Sequence, residues 1–137
     1  MAKTFTAPFA QTPKTATAVC TAVATVTNDS PSNTVLLLTA GTDGAILTRL
    51  SAIPRATVTA SSLVLFISSD TGTTKRLADS ELMAAYTMAT TTAVPETTFT
   101  NFTETAPLRL AAGDQLYVGS QVALAGGIVF RAEYTDF

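Results

Sequence analysis

Residues 107–137, PLRLAAGDQLYVGSQVALAGGIVFRAEYTDF, are the stretch that decides the fold. Within them, residues 128–134 alternate with the period of a half-buried β-strand. Residues 113–114 and 126–127 are turn residues, because glycine reaches positive φ without a clash and aspartate bonds its own backbone. Residues 108–110 and 115–118 are then two further strands, and the stretch predicts the antiparallel strands of a sandwich. The predicted faces of the last strand are Ile128, Phe130, Ala132 and Tyr134 on one side, and Val129, Arg131 and Glu133 on the other.

Similar turn signals divide the preceding sequence into more strand candidates. The apolar run 35–38 is predicted to be buried on both faces, and 57–69, the most hydrophobic segment, is predicted to be the central strand. About eight strand candidates spaced by turns predict an all-β fold, an antiparallel β-sandwich of jelly-roll-like type over residues 15–137. The other candidates in this part are residues 15–27 and 45–51, and the turns lie at 28–33, 41–44 and 70–73.

Two later segments are less regular. In residues 75–89, Asp79 or Ser80 could cap a helix whose apolar face carries Leu82, Met83 and Tyr86. The strand-like neighbours of this segment favour a strand instead. Residues 90–106 are polar, rich in threonine and interrupted by proline, which predicts a long loop or an irregular edge strand.

Residues 1–14, MAKTFTAPFAQTPK, have two prolines and no sustained period. They predict an extended N-terminal arm in which Phe5 and Phe9 are apolar anchors. The arm either packs on its own domain or reaches a neighbouring subunit. Phe99 and Phe102 are the corresponding anchors of residues 90–106.

Composition limits the possible partners. Charged residues make up 13% of the 137-residue chain, which is about half the ~25% usual for soluble domains. A charge-poor surface is typical of permanent packing against neighbours, although a threonine-rich β-protein has the same composition. The 8 basic residues are spread along the chain without a cluster and the net charge is −2. Nucleic acid is therefore not expected as a partner.

The chain lacks the usual groups of catalysis. It has no histidine and one cysteine, Cys20, which removes the common general base and the common metal ligands, so no enzyme activity, cofactor or metal is expected. Asp79 and Glu81 have the spacing of a carboxylate pair on one strand face, which glycosidases could use, but such a pair is far more often made of ordinary surface residues. The longest apolar run, 63–67, is too short to span a bilayer, and no signal peptide is visible, so a soluble protein without a membrane partner is predicted.

Several blocks carry a resemblance to a known group. Residues 44–54, GAILTRLSAIP, and 60–67, ASSLVLFI, resemble small tailed-phage virion proteins, and residues 108–118 and 126–130 are similar to the ending of that group. The resemblance covers most of residues 44–134. It implies a β-sandwich capsid decoration (cement) protein on the virion surface, made in the host cytoplasm.

The same resemblance implies partners and contacts. It implies that the chain binds the major capsid protein and itself, as a homo-oligomer and specifically a homotrimer, and it transfers no catalytic residue. Phe5, Phe9, Phe99 and Phe102 are then the candidate subunit or capsid contacts. Two alternatives stay open: a phage tail, baseplate or receptor-binding component, and a carbohydrate-binding module that uses Tyr117 or Tyr134.

Overall fold

Nine β-strands form two antiparallel sheets in the computed structural model, which describes residues 12–137. One sheet has the order β1-β9-β3-β6, with β7 also paired to β3, and we call it the β9 sheet. The other has the order β2-β8-β4-β5, and we call it the β4 sheet. The predicted all-β sandwich is confirmed. The strands are β1 Thr12–Cys20, β2 Val35–Thr39, β3 Ala45–Pro54, β4 Ser61–Ser68, β5 Arg76–Met83, β6 Thr97–Thr98, β7 Leu108–Leu110, β8 Gln115–Ser120 and β9 Ile128–Asp136.

Strand β9 is the centre of its sheet. It pairs with β1 from Thr12↔Asp136 to Cys20↔Ile128, and with β3 on its other side, where the register shifts once by a bulge. The predicted alternation is confirmed along the whole strand, because inward residues such as Phe130 have no exposed surface and Arg131 is exposed. Because side chains alternate between the two faces of a strand, this pattern determines which face of β9 packs in the core.

The core lies between the two sheets and draws on nearly every strand. Burial of large apolar side chains is the main favourable term in folding, at about 25 cal/mol per Å² of apolar surface. Strand β4 is confirmed as an inner strand, and its residues on both faces are buried. The largest fully buried core side chains include Leu47, Leu50, Leu63, Leu65, Phe99, Leu116, Val118, Ile128 and Phe130.

Strand β1 differs from its prediction at both ends. It begins at Thr12, so the last three residues assigned to the arm belong to the sheet and the boundary at residue 14 is wrong. Pro13 fits there because β1 is an edge strand that pairs only with β9. The strand stops at Cys20, not at residue 27, because the chain then leaves the β9 sheet. The rest of the predicted arm lies outside the described residues.

Three other predictions are resolved by the structure. Residues 75–89 contain strand β5 and not a helix, although the strand stops at Met83. Residues 90–106 are irregular apart from β6, as predicted. Leu36 is 45% exposed, so β2 is not buried on both faces as the apolar run indicated.

Cys20 should be unreactive while the domain is folded. Its thiol is 1% exposed and donates to the carbonyl of Val118 at 3.3 Å. Loss of hydration raises the pKa of the Cys20 thiol to about 12. At pH 8 roughly one thiol in ten thousand would then be thiolate, against about a quarter for a free cysteine. Ellman's reagent should label less than about a tenth of the protein in native buffer over a time that gives complete labelling in denaturant. Rapid native labelling would contradict this burial.

Asp70 organises the turn between β4 and β5. Its Oδ1 accepts hydrogen bonds from Thr74 N–H at 2.8 Å and from the Ser68 hydroxyl at 2.9 Å. Gly72 has a φ of 91° in the same turn, as the predicted turn chemistry allows, and Thr71 has a positive φ of 58°, which is unusual for a β-branched residue. The Thr74 bond first, and the Ser68 bond second, hold the pKa of Asp70 below its usual range.

The lowered pKa of Asp70 predicts an acid-dependent contribution to stability. A carboxyl with a folded-state pKa below its unfolded value, about 4, stabilises the fold above that value and loses the effect as pH falls through the folded pKa. The urea midpoint of wild type should therefore be higher than that of Asp70→Asn at pH 7, and the difference between the two midpoints should shrink towards pH 2. Asp43→Asn is the matched control, because Asp43 is exposed in a turn and forms no side-chain hydrogen bond or salt bridge within residues 12–137. A pH-independent difference for Asp70→Asn would contradict the prediction.

Candidate interaction surface

Of the four phenylalanines predicted to make intermolecular contacts, the structure describes two. Phe99 has no exposed surface and belongs to the core, and its N–H donates to the Leu50 carbonyl at 2.8 Å. Phe102 is partly buried and packs on the same core. Phe5 and Phe9 lie outside the described residues. Phe99 thus offers no surface to a partner, because it fills space between the sheets.

Asp79 and Glu81 lie on one side of β5, and both bind the segment that follows β6. Thr100 donates its N–H and its hydroxyl to Glu81 Oε2, each at 3.4 Å, and the Asn101 amide donates to Asp79 Oδ1 at 2.9 Å. Asp79 Oδ2 is buried without a hydrogen-bond partner among the described residues. The carboxylates tie the edge of the β4 sheet to the chain that pairs with the β9 sheet. Their geometry therefore supports a structural role.

Residues 12–137 contain no group of three or more histidine, cysteine, aspartate or glutamate side chains able to hold a metal ion. They also contain no helix long and apolar enough to cross a membrane. Two surface depressions of about 310 and 350 Å³ are lined mainly by polar side chains, among them Glu133 in the first and Asp70 in the second.

The two tyrosines predicted as possible sugar platforms are both engaged within the domain. Tyr134 is 9% exposed and faces the core. The ring of Tyr117 is covered by Lys75, whose Nζ lies 4.4 Å from the ring centroid. The Tyr117 hydroxyl donates to Gln115 Oε1 at 2.7 Å. Neither ring presents the open aromatic face on which a sugar stacks.

The chain covers part of the outer face of the β4 sheet with its own residues 21–34, which we call the crossover segment. Ala24 and Val26 pack on the outward side chains of Val64 and Phe66, and both of those β4 side chains are completely buried. Ala24 N–H donates to the Ser120 carbonyl at 2.8 Å. This packing explains why β4 is apolar on both faces.

The crossover segment reaches the start of β5, the edge strand of the same sheet, where Asp29 forms an ion pair with Arg76 at 3.4 Å, but it leaves the leucines further along β5 exposed. Leu77 and Leu82 of β5 are 48% and 69% exposed. Their sequence separation would place them on opposite faces, but the pairing of β4 with β5 skips Ala78. This bulge aligns Leu77 with Phe66 and Leu82 with Ser62, so both leucines lie on the outer face. Two exposed leucines on one edge strand are the kind of feature that marks a protein contact.

The outer face of the β9 sheet is arranged in cross-strand rows. The row at one end is apolar: Val19 and Ile53, each 37% exposed, flank Val129. The strand registers place the remaining rows in order along β9. Next to the apolar row comes Thr17–Arg131–Ser51–Thr98, then Thr15–Glu133–Arg49, and at the far end Pro13–Thr135–Ile46–Arg109.

Charges of both signs on this face lack ion-pair partners among the residues that the structure describes. Arg131 is exposed, and neither it nor Glu133 has an ion-pair partner within 4.0 Å among residues 12–137. Arg109 also has no such partner, whereas Arg49 forms an ion pair with Glu96. Side chains two apart on a strand are only about 7 Å apart. Arg131 and Glu133 thus form a neighbouring pair of opposite charges that do not bind each other.

Sequence reasoning located part of this surface. The alternation of β9 places Val129, Arg131 and Glu133 on one outward face, and the structure confirms it. The cross-strand neighbours of these residues in each row depend on the strand registers, and the alternation of residues in the sequence does not predict a register. The β5 bulge likewise leaves no signal in the sequence.

No family model, curated protein or solved structure matches this chain.

Proposed function

We propose that this chain is a structural virion protein, a capsid decoration (cement) protein that binds the major capsid protein lattice of a tailed-phage head. The observation that carries the proposal is the exposed outer side of β5, where the bulge at Ala78 brings Leu77 and Leu82 to one face. Two exposed leucines on the outer side of an edge strand, in a chain with few charged residues and much threonine, suit permanent attachment to a larger assembly. The resemblance of residues 44–134 to small virion proteins supports the same role.

We also propose that the sandwich is a jelly roll. Successive strands β1 to β4 alternate between the two sheets, β5 stays in the β4 sheet, and β6 to β9 then return through both. With β6 and β7 sharing the edge position beside β3, this order supports two interleaved Greek keys, the arrangement found in viral capsid and lectin domains.

Attachment would occur on the capsid surface, in many copies and without nucleic acid or membrane. Modest affinity per copy is sufficient when linked subunits bind together, because the second contact becomes intramolecular. The resemblance implies a homotrimer for the linked form, which is an alternative to the two-fold dimer inferred below. Determination of the oligomer mass in solution tests that state separately from lattice binding.

Sedimentation with heads that lack this protein tests the proposed function. Wild type should pellet with expanded heads in hundreds of copies, and the variant Leu77→Ser with Leu82→Ser should lose at least about tenfold in affinity, since a few buried apolar anchors dominate most interfaces. Leu36→Ser is the matched control, because Leu36 is an exposed leucine on the opposite edge strand of the same sheet. Failure of folded wild type to bind any head would overturn the proposal.

Purified particles and purified protein also distinguish the two alternative functions. A tail, baseplate or receptor-binding component would be present at a handful of copies per particle. A carbohydrate-binding module would bind a glycan array. The jelly-roll order is compatible with that second alternative, but the engaged rings of Tyr117 and Tyr134 do not favour it.

A further inference from the structure

We infer that the outer face of the β9 sheet binds the same face of a second copy of this chain. The two-fold axis lies in the interface, perpendicular to the strands, and passes between Arg131 and Glu133. The inference goes beyond the proposed lattice attachment, which uses the outer side of β5, and it holds or fails independently of what the protein decorates.

The charges on this face favour the arrangement. Rotation about such an axis reverses the order of the rows, so Arg131 of one copy lies over Glu133 of the second copy, and the second copy's Arg131 lies over Glu133 of the first. Two opposite charges that lack ion-pair partners within residues 12–137 then form two equivalent intermolecular salt bridges. An isologous interface requires this reciprocity, in which residue i contacts j and j contacts i.

The exposed apolar residues of this face favour the same arrangement. The same rotation places the row of Val19, Val129 and Ile53 over the far row of the second copy. Ile53 then lies opposite Ile46 of the second copy, and Val19 lies opposite Pro13 of the second copy. Sheets that pack face to face cross at about 30°, so these pairs are neighbours in the interface rather than strictly superposed atoms. In this orientation the two charges pair, Val19 and Ile53 lie over apolar residues, and Val129 lies over Thr135.

Other occupants fit this face less well. A partner of one charge sign would meet both Arg131 and Glu133 and would leave one of them opposed to a like charge, which costs affinity. A two-fold axis parallel to the strands would place Arg131 over Arg131 of the second copy. The crossover segment of the same chain is packed on the other sheet. A second copy in the stated orientation satisfies both charges.

The size of the face is adequate for a dimer. Nine residues of β9 extend about 30 Å, and three to four strands span about 15–20 Å, which is a flat area of roughly 500 Å² before side-chain relief is counted. Specific interfaces bury about 800 Å² per partner. With its side-chain relief and flanking loops, the face approaches that size.

Charge reversal with sedimentation-velocity ultracentrifugation tests the inference. Wild type at micromolar concentration should have twice the 14.2 kDa mass of the chain. Arg131→Glu alone and Glu133→Arg alone should each raise the dimer dissociation constant at least about tenfold, because both bridges become repulsive. The double variant Arg131→Glu with Glu133→Arg should restore dimerisation. An equimolar mixture of the two single variants should form mixed dimers, since each mixed bridge again joins opposite charges.

The control is Arg76→Glu, which changes net charge as Arg131→Glu does but lies on the edge of the β4 sheet, where its side chain is 71% exposed and forms a surface ion pair with Asp29. It should leave the dimer constant within about twofold. Circular dichroism establishes that each variant is folded, and Arg131→Gln with Glu133→Gln provides a milder weakening if a reversal is not. A monomeric or trimeric wild type, equal effects of Arg76→Glu and Arg131→Glu, or no rescue in the mixture would overturn the inference. Head binding by a monomeric wild type would overturn it while leaving the proposed function supported.

Discussion

Replacement of Phe99 by alanine should lower the free energy of unfolding by about 3–5 kcal/mol, the usual cost of truncating a buried phenylalanine. The side chain has no exposed surface and lies in the core between the sheets. It comes from the long irregular connection after β5, which has little regular hydrogen bonding of its own. The cavity would therefore loosen both the core and the segment that spans the side of the sandwich. Urea unfolding at pH 7 measures the loss.

Phe102→Ala is the matched control, because Phe102 lies three residues away and is only partly buried. We expect a loss of about half that of Phe99→Ala or less, since the apolar area removed from water is smaller. The comparison also separates the two roles of Phe99. If Phe99 were a capsid contact, its replacement would leave the stability of the free protein unchanged and weaken only binding to heads.

Gly44→Ala should destabilise the domain by about 2–4 kcal/mol, the second largest effect that we expect from a single substitution. Gly44 has a φ of +89°, and a Cβ added there would lie 2.5 Å from the Leu110 carbonyl oxygen. That oxygen belongs to the backbone of β7 at the position that pairs with Ala45, so the clash cannot be relieved by a side-chain rotation. The turn before β3 would have to separate from β7.

Gly113→Ala provides the control for Gly44→Ala. Gly113 also has a positive φ, +76°, but no atom lies within 4 Å of an added Cβ. The substitution Gly113→Ala should therefore lower the free energy of unfolding only by the cost of a Cβ at positive φ, about 1–2 kcal/mol. Thermal unfolding of the two variants, compared with wild type, gives the part of the destabilisation by Gly44→Ala that comes from the clash with Leu110. Equal destabilisation by the two substitutions would show that this clash is relieved at no cost in stability.

The strands with one buried and one exposed face were predicted correctly from the sequence. The predictions were wrong where the chain passes from one sheet to the other. In β9 and β8 apolar and polar residues alternate against one core, so the period alone identifies the buried face. In residues 15–27 the alternation continues past Cys20 although the strand does not, because Ala24 and Val26 are buried against Val64 and Phe66 of the other sheet. The alternation shows that these residues are buried, but it does not show which sheet they are buried against.

The candidate surfaces were only partly predictable for a related reason. Phe99 is a single aromatic residue in a polar, threonine-rich stretch, so nothing in its surroundings distinguishes a core residue from a contact residue. The opposition of Ile53 to Val129 follows from a register set by the bulge in β3, and the shared face of Leu77 and Leu82 follows from a bulge in β5. A bulge alters the face of every later residue, and sequence patterns do not show where it occurs.

The position of β9 between β1 and β3 has a consequence for synthesis. Both neighbours bind β9 along nearly its whole length, yet β9 is translated after the other eight strands. Until it emerges from the ribosome, β1 and β3 lack the partner that joins them, and their apolar faces are open to other nascent chains. Pairing of the first strand with the ninth also gives a high contact order, which slows folding. We expect ribosome-bound chains that end before Ile128 to be protease-sensitive, and the domain to form in one cooperative step after β9 is released.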